Sequence, residues 1–334
     1  MGEFLRNKKI LIIGGTGTVG TYLVNYILPF NPNVIRILSR DEYKQFLLQQ
    51  KFAQHRNIRY LIGDVRDFNR LQRAMEDIDY VFHAAAMKHV PSCEYNPFEA
   101  VQTNVIGTQN VIQAVLSSGV KKVLFTSTDK AIAPTNTYGA TKLTAEKLIS
   151  AAEYQKGSKP AMFCSVRFGN VMGSRGSVIP LFKEQILTQR KITVTDMNMI
   201  RYMMTPFQAI SLMLKAMEEC LGGEVFVLKM PVVRLSDLAH VVCEEVSKKY
   251  NITEPVDIEE IGIRPGEKLY EELMTEIEWK IAEERADMFV LPPMYNANSN
   301  EITDRTMTMK QYLLSTPPIS RETLRDWIIT EGLI

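Results

Sequence analysis

The residues best suited to chemistry lie between positions 123 and 142. They are the run Val123-Leu-Phe-Thr-Ser-Thr-Asp-Lys-Ala131 and, shortly after it, Tyr138-Gly-Ala-Thr-Lys142. The run begins as a short apolar segment suited to a buried parallel strand. It ends in hydroxyls, a carboxylate and an ammonium group, at the edge where open α/β sheets bind their ligands. Tyr138 and Lys142 stand four apart, so on a helix they share one face. An ammonium there can depress the phenol's pKa and help place a nicotinamide ribose. Tyr and Lys at this spacing also arise by chance on any helix surface. The reactive strand end before this pair, and a glycine signature near the start of the chain, set it apart.

Something must carry a cofactor to that strand end. Lys9-Ile-Leu-Ile-Ile-Gly-Gly-Thr-Gly-Thr-Val-Gly20 is an apolar strand followed by glycines at 14, 17 and 20, and then by a helical pattern. Such glycines permit a tight turn, close backbone approach to a pyrophosphate and close helix–strand packing. The phosphate then sits at a helix N-terminus, where free N–H groups and the macrodipole favour anions. Gly14, Thr16, Gly17, Thr18, Val19 and Gly20 are therefore the candidate cofactor loop. A glycine turn without a ligand is the plain alternative.

The second strand, 34–41, ends in Ser39-Arg40-Asp41. An acid at this place holds the adenosine ribose of NAD, whereas a guanidinium suits the 2′-phosphate of NADP. Arg40 favours NADP. In the alternative, Arg40 is a solvated cation, Asp41 takes the ribose, and NAD is the cofactor. Asp64 and Val65, at the end of the third strand, are placed to cover an adenine. Ala84, Ala85 and Ala86 end the fourth and let backbone approach a dinucleotide. Lys88 follows in reach of phosphate or sugar. His83, inside an apolar run, reads as a packed residue. Asn104 begins a helix and is expected to buttress the loop after the fifth strand.

Alternating strands and helices describe an α/β protein with a doubly wound parallel Rossmann sheet. A smaller C-terminal α/β substrate-binding region follows it. The expected division is a cofactor domain over 1–170, with its sheet completed by later segments, a substrate-binding region over 171–294, and a tail with a final helix over 295–334. Short strands are expected at 191–195, 200–205 and 224–228, and helices at 206–221, 235–249 and 268–273. The methionines at 197, 199, 203, 204, 213 and 217 read as core filler.

Lys+Arg 39 against Asp+Glu 38 gives a formal net charge of +1, with no basic patch for nucleic acid or a membrane surface. Four scattered cysteines show no metal-ligand spacing and read as reduced thiols of an intracellular protein. There is no long apolar span. A soluble, cytoplasmic enzyme without a metal is the expectation.

These residues together resemble the extended short-chain dehydrogenase/reductase superfamily. Within it they resemble the UDP-N-acetylglucosamine 4,6-dehydratases of bacterial surface-sugar synthesis. The likeness runs from Lys9 to about Met274. It is most specific at Ala84-Ala-Ala-Met-Lys-His-Val-Pro91, Ser127-Thr-Asp-Lys-Ala131, Arg167-Phe-Gly-Asn-Val-Met-Gly-Ser-Arg-Gly-Ser-Val-Ile-Pro180 and Ile261-Gly-Ile-Arg-Pro-Gly-Glu-Lys268. Many such relatives carry a long membrane-anchored N-terminal region, so this chain resembles the short, soluble form. Dehydratases of dTDP-glucose or GDP-mannose carry Asp-Glu or Glu where this chain has Asp129-Lys130.

The resemblance implies an internal redox cycle. C4 of the sugar is oxidised, water leaves across C5–C6, and hydride returns to C6. It implies Tyr138 as the base for the C4 hydroxyl, with Lys142 beside it, and Thr128 as the hydrogen-bond partner of O4. Asp129 becomes the acid for the departing C6 hydroxyl and Lys130 the group that handles the C5 proton. Lys130 could do so near neutral pH only with a lowered pKa. The alternative for Lys130 is a tether for a cofactor phosphate. The implied substrate residues are Lys88, Asn170, Val178, Thr195, Arg201, Arg264 and Glu267, the two arginines on a pyrophosphate and Glu267 on the uridine ribose. Tyr138 and the Ser174-Arg175-Gly176 run are similar to the C5-inverting branch. A homo-oligomer is likewise implied. The rival readings are a UDP-sugar 4-epimerase, which needs no C6 chemistry, and a catalytically silent NADP-binding regulator.

Overall fold

The computed structural model describes residues 2–263, 267–293 and 305–334. Fourteen short strands are present among them: β1 (Lys9–Ile13), β2 (Val34–Ser39), β3 (Ile58–Ile62), β4 (Tyr80–His83), β5 (Lys122–Thr126), β6 (Met162–Arg167), β7 (Asn170–Val171), β8 (Lys191–Val194), β9 (Ile200–Met204), β10 (Val225–Leu228), β11 (Val232–Arg234), β12 (Asp257–Glu260), β13 (Glu283–Glu284) and β14 (Met288–Leu291). Runs such as Ile10–Ile13 and Val123–Phe125 are buried throughout, as strands covered on both faces must be.

Nine strands form the main sheet in the order β13-β14-β10-β6-β5-β4-β1-β2-β3. From β3 to β10 all neighbours are parallel, while β14 and β13 close the far edge antiparallel. The chain winds outward from β1 through β2 to β3, then returns to β4 on the other side of β1. That reversal opens a crevice beyond the carboxyl ends of β1 and β4.

One apolar layer packs the Thr18–Ile27 and Pro206–Glu219 helices on one face of this sheet. A second packs the Phe68–Ala74, Gly107–Leu116 and Thr137–Gln155 helices on the other. Met204, Met213 and Met217 lie in the first layer and Met199 and Met203 in a third core in the C-terminal part, with Met197 packed against it.

The C-terminal part carries two small sheets, β11-β9-β7 and β12-β8. β10 and β14 come from beyond residue 170 yet lie in the main sheet, so the two parts interlock rather than follow one another. The expected helix over 268–273 is not formed; that stretch is irregular. Its carbonyls are bonded away from their own segment: the Arg201 guanidinium takes those of Lys268 and Leu269, and Arg167 takes that of Leu273. A helix over 268–273 needs the Lys268 and Leu269 oxygens for its own ladder.

Among the described residues no helix is long and apolar enough to cross a membrane.

Candidate active site

The sequence Thr-Ser-Thr-Asp-Lys leaves β5 and turns at once into a single 3₁₀ turn, Asp129–Ala131. The turn is pressed against the start of the Thr137–Gln155 helix, which Asn136 caps by accepting from the Gly139 N–H at 2.8 Å. Gly139 makes this contact possible, because a Cβ there would stand 2.0 Å from the Lys130 carbonyl oxygen.

The packing assembles one polar group. Tyr138 faces Thr128 and Lys130, both of which act on its phenol. Thr128 Oγ1 donates to Asp129 Oδ1 at 2.9 Å, and the same oxygen accepts from Lys130 Nζ at 3.0 Å. Lys130 Nζ also reaches Asn170 Oδ1 at 3.4 Å and lies 3.8 Å from Glu271 Oε1. Thr128, Asp129 and Glu271 are buried, and the Lys130 side chain is 23% exposed.

The electrostatics correct two expectations. Burial pulls the Lys130 pKa down, but the carboxylates of Asp129 and Glu271 push it up and prevail, so Lys130 is held as an ammonium. For Tyr138 the expected depression is not found: burial prevails and raises the phenol pKa, although Thr128 and the Lys130 ammonium act to lower it. The cation that acts on Tyr138 is thus Lys130. Lys142 turns away to donate to the Thr126 carbonyl and to lie over the Phe125 ring, 3.8 Å from its centroid. Burial brings the Lys142 pKa down to about 7.

At the crevice, Gly14 has φ +83°, and a Cβ on it would lie 2.7 Å from the Ala85 N. The β1 loop and the Ala84-Ala-Ala86 backbone therefore approach as no other residue type would permit. Gly17 precedes the Thr18–Ile27 helix, Thr16 and Gly20 are buried, and Val19 packs on the core. Arg175, from the glycine-rich stretch after β7, reaches across to the Thr16 carbonyl and, through its own N–H, to Thr18 Oγ1 at 3.2 Å. Ser39 is buried at the end of β2. The Arg40 guanidinium is largely exposed and pairs loosely with Asp64 at 3.6 Å. Asp41 caps the Glu42–Lys51 helix and pairs with Lys44. Val65 is buried against Gly107.

Asn104 departs from expectation. It clamps Met87 of the loop after β4, not the loop after β5, through both backbone groups (2.8 and 3.0 Å), and its amide also donates to Thr141 Oγ1 at 3.0 Å. A π-helical stretch, Val101–Ile106, sets it there. Lys88 Nζ lies 3.5 Å from Ser174 Oγ, its pKa lowered by burial and by Arg175. His83 is fully buried and bonds Thr108 Oγ1 at 3.0 Å; burial takes its pKa down to about 3, as befits a packed residue.

Of the other substrate positions, Asn170 joins the Lys130 group and Glu267 acts on Arg201. Arg201 spends its N–H groups on the carbonyls of Ile200, Lys268 and Leu269, at 2.7 to 3.0 Å, rather than presenting a free fork. Val178 opens the Val178–Gln189 helix and Thr195 follows β8; neither enters the hydrogen bonds around Lys130 among the described residues. Arg264 lies outside the described residues. Sequence reasoning missed Glu271, the contact that Gly139 makes possible and the reach of Arg175 to the β1 loop. Only the glycine directly after Tyr138 offered a local signal.

The sequence profile of the polysaccharide biosynthesis protein family matches residues 10–293. A UDP-N-acetylglucosamine 4,6-dehydratase (inverting) of Campylobacter jejuni is 44% identical over 288 residues, 86% of this chain and 83% of that protein. A UDP-glucose 4-epimerase of Rickettsia rickettsii is 39% identical over 290 residues, again 86% and 83%. The X-ray structure of Pen from Bacillus thuringiensis superposes with a TM-score of 0.91 at 55% identity, covering 99% of each chain.

Proposed function

The chain belongs to the polysaccharide biosynthesis protein family, and from that membership we propose that it is a UDP-N-acetylglucosamine 4,6-dehydratase, a hydro-lyase yielding a UDP-2-acetamido-2,6-dideoxy-hex-4-ulose. The observation that carries the reading is the Asp129–Lys130 pair, 3.0 Å apart beside Thr128 and Tyr138 at the sheet's ligand edge.

Gly14 lets the β1 loop close on the Ala85 backbone, which a Cβ would prevent, and Gly17 and Thr18 at a helix N-terminus suit a pyrophosphate. Bound there, a nicotinamide dinucleotide supplies the hydride acceptor and donor of the cycle. The exposed Arg40 and the engagement of Asp41 with Lys44 support NADP over NAD.

Tyr138 takes the proton of the C4 hydroxyl as its phenolate, the form that the Lys130 ammonium favours, while Thr128 orients O4. The paired ammonium and carboxylate then solve the charge problem of Lys130. Moving one proton from Lys130 to Asp129 creates an amine and a carboxylic acid side by side. The amine removes the C5 proton that the C4 ketone has acidified, and the acid protonates the departing C6 hydroxyl, which leaves as water. Lys130 is then again an ammonium and Asp129 a carboxylate; for inversion a proton reaches C5 on the face opposite Lys130, and Tyr138 gives up the proton taken from O4, so that every group is reset. Lys88, Asn170, Val178, Thr195, Arg201, Arg264 and Glu267 would hold the UDP-sugar. The Campylobacter relative's inverting reaction and the presence of Tyr138 support inversion at C5.

The Rickettsia relative favours a second reading, C4 epimerisation. Incubation with UDP-N-acetylglucosamine in deuterated buffer, followed by proton NMR, separates the two. The dehydratase gives a C6 methyl signal with deuterium at C5, and L-arabino ring couplings report inversion. Epimerisation at C4 with an intact C6 hydroxyl would sink the proposal.

A further inference from the structure

Glu271 belongs to no motif used above. It lies in the irregular stretch before the Glu276–Ile281 helix, 5% exposed, with Oε1 3.8 Å from Lys130 Nζ. Glu271 Oε2 and Asp129 Oδ2 are both buried without a hydrogen-bond partner among the described residues. One carboxylate at 3.0 Å already pairs with Lys130, and Glu271, which also faces Arg201 and Lys268, is buried with one oxygen unbonded among the described residues, an unfavourable placement.

The fold nevertheless holds this stretch firmly. Arg201 grips the Lys268 and Leu269 carbonyls on one side of Glu271. Lys268 Nζ donates to the Ile132 carbonyl at 2.9 Å, just past the Asp129–Ala131 turn. Arg167 binds the Leu273 carbonyl at 3.0 Å on the other side. The Lys268 bond ties the stretch to the turn that bears Lys130, and the two arginines fix it on either side.

We propose that Glu271 is the positioning residue of Lys130, the second arm of a two-carboxylate cradle that fixes the ammonium where C5 of the sugar must come. The pairing rests on this geometry; the identity of the proton it serves rests on the dehydratase reading. The groups facing Lys130 are Asp129 from its own turn, Tyr138 from the Thr137–Gln155 helix, Asn170 from β7 and Glu271. Behind Glu271 stand Arg201 and Lys268, with Glu267 acting on Arg201. Removing the Glu271 charge takes away one of two carboxylates that favour the ammonium, so Lys130 should lose its proton at lower pH.

The test reads Lys130 directly. Trace acetylation with acetic anhydride, from about pH 6 to about pH 11, is quantified on the Lys130 peptide by mass spectrometry in wild type, E271Q and E271D. The expected result for E271Q is a half-labelling pH lower by about one unit or more. E271D, which keeps the charge on a shorter arm, should recover most of that shift. In turnover, E271Q should lose roughly tenfold or more in kcat with KM within about threefold, and its acidic limb should move the same way. An unchanged Lys130 profile in folded E271Q overturns the proposal. Should E271Q not fold, E271D decides: a small downward shift supports the cradle and an unmoved profile ends it. Wild type without C6 methyl formation but with the E271Q shift intact would remove the dehydratase reading and leave the cradle standing.

Discussion

Lys142 is an amine enclosed by protein, 2% exposed, on the Thr126 carbonyl and the Phe125 ring. Burial takes its pKa from 10.5 to about 7 in the folded state. Between these values the unfolded chain binds a proton that the folded one does not, so its contribution to stability is fully present above pH 10.5 and is lost as pH falls towards 7. Urea unfolding of wild type and Lys142→Met, with no cofactor added, should show the wild-type-minus-variant difference shifting in favour of wild type from about pH 7 to about pH 9. A pH-independent difference would contradict the neutral amine. Arg40 supports a second residue-scale expectation. If its guanidinium meets a 2′-phosphate, Arg40→Ala should weaken NADP binding relative to NAD by roughly 10–100-fold by calorimetry, the value of a charge-assisted bond or two. Equal losses for both cofactors would return the ribose to Asp41. Tyr138, Lys142, Asp129 and Lys130 were all visible in the chain. The charge state of Lys130 and the partner of Lys142 were not, because both depend on carboxylates and carbonyls that packing brings from elsewhere.

At the scale of elements, the site is a helix start seated on a strand-end turn. The seat has no room at Gly139, whose Cβ would meet the Lys130 carbonyl at 2.0 Å. Gly139→Ala must push the turn away from the helix, moving Lys130 and Thr128 relative to Tyr138. A displacement of about 1 Å at a reacting group costs on the order of 10²-fold in rate. Single-turnover kinetics should show such a loss, while cofactor affinity, set at the β1 loop, changes by less than about threefold. A near-wild-type rate would show that the seat is elastic. The expected helix over 268–273 fails for an instructive reason. Its apolar residues suit a helix, but Arg201, distant in sequence, competes for the Lys268 and Leu269 carbonyl oxygens and wins. Propensity is local; that competition is not.

Across the whole molecule, Arg167 joins parts that lie far apart in the chain. It is fully buried at the end of β6, bonded to Glu146 of the Thr137–Gln155 helix, to Glu278 of the Glu276–Ile281 helix at 3.1 Å, and to the Leu273 carbonyl. Glu146 lies one turn beyond Lys142, so one guanidinium ties the catalytic helix to the stretch bearing Glu271. Two carboxylates hold its pKa above that of a free arginine, and it stays charged at any working pH. Arg167→Met fills the space but leaves Glu146 buried without a cation. The expected loss is about 3–5 kcal/mol of unfolding free energy in denaturant titration, the usual result of removing one partner of a buried pair. A loss under about 1 kcal/mol would mean that Glu146 simply takes up a proton at little cost.

The chain by itself determined the doubly wound sheet, because apolar runs and glycine turns are local signals repeated in order. It also determined the reactive strand end and the Tyr138–Lys142 spacing, since both lie within twenty consecutive residues. Tertiary structure alone decided three other things. Which later segments complete the main sheet, β10 and β14, is the first. Asn104 grips the loop after β4. Glu271 arrives beside Lys130, 141 positions further along the chain. Each is a contact between segments whose sequences carry no mark of one another, and a carboxylate shows its effect on an amine only when the fold has brought both out of water to within a few ångströms.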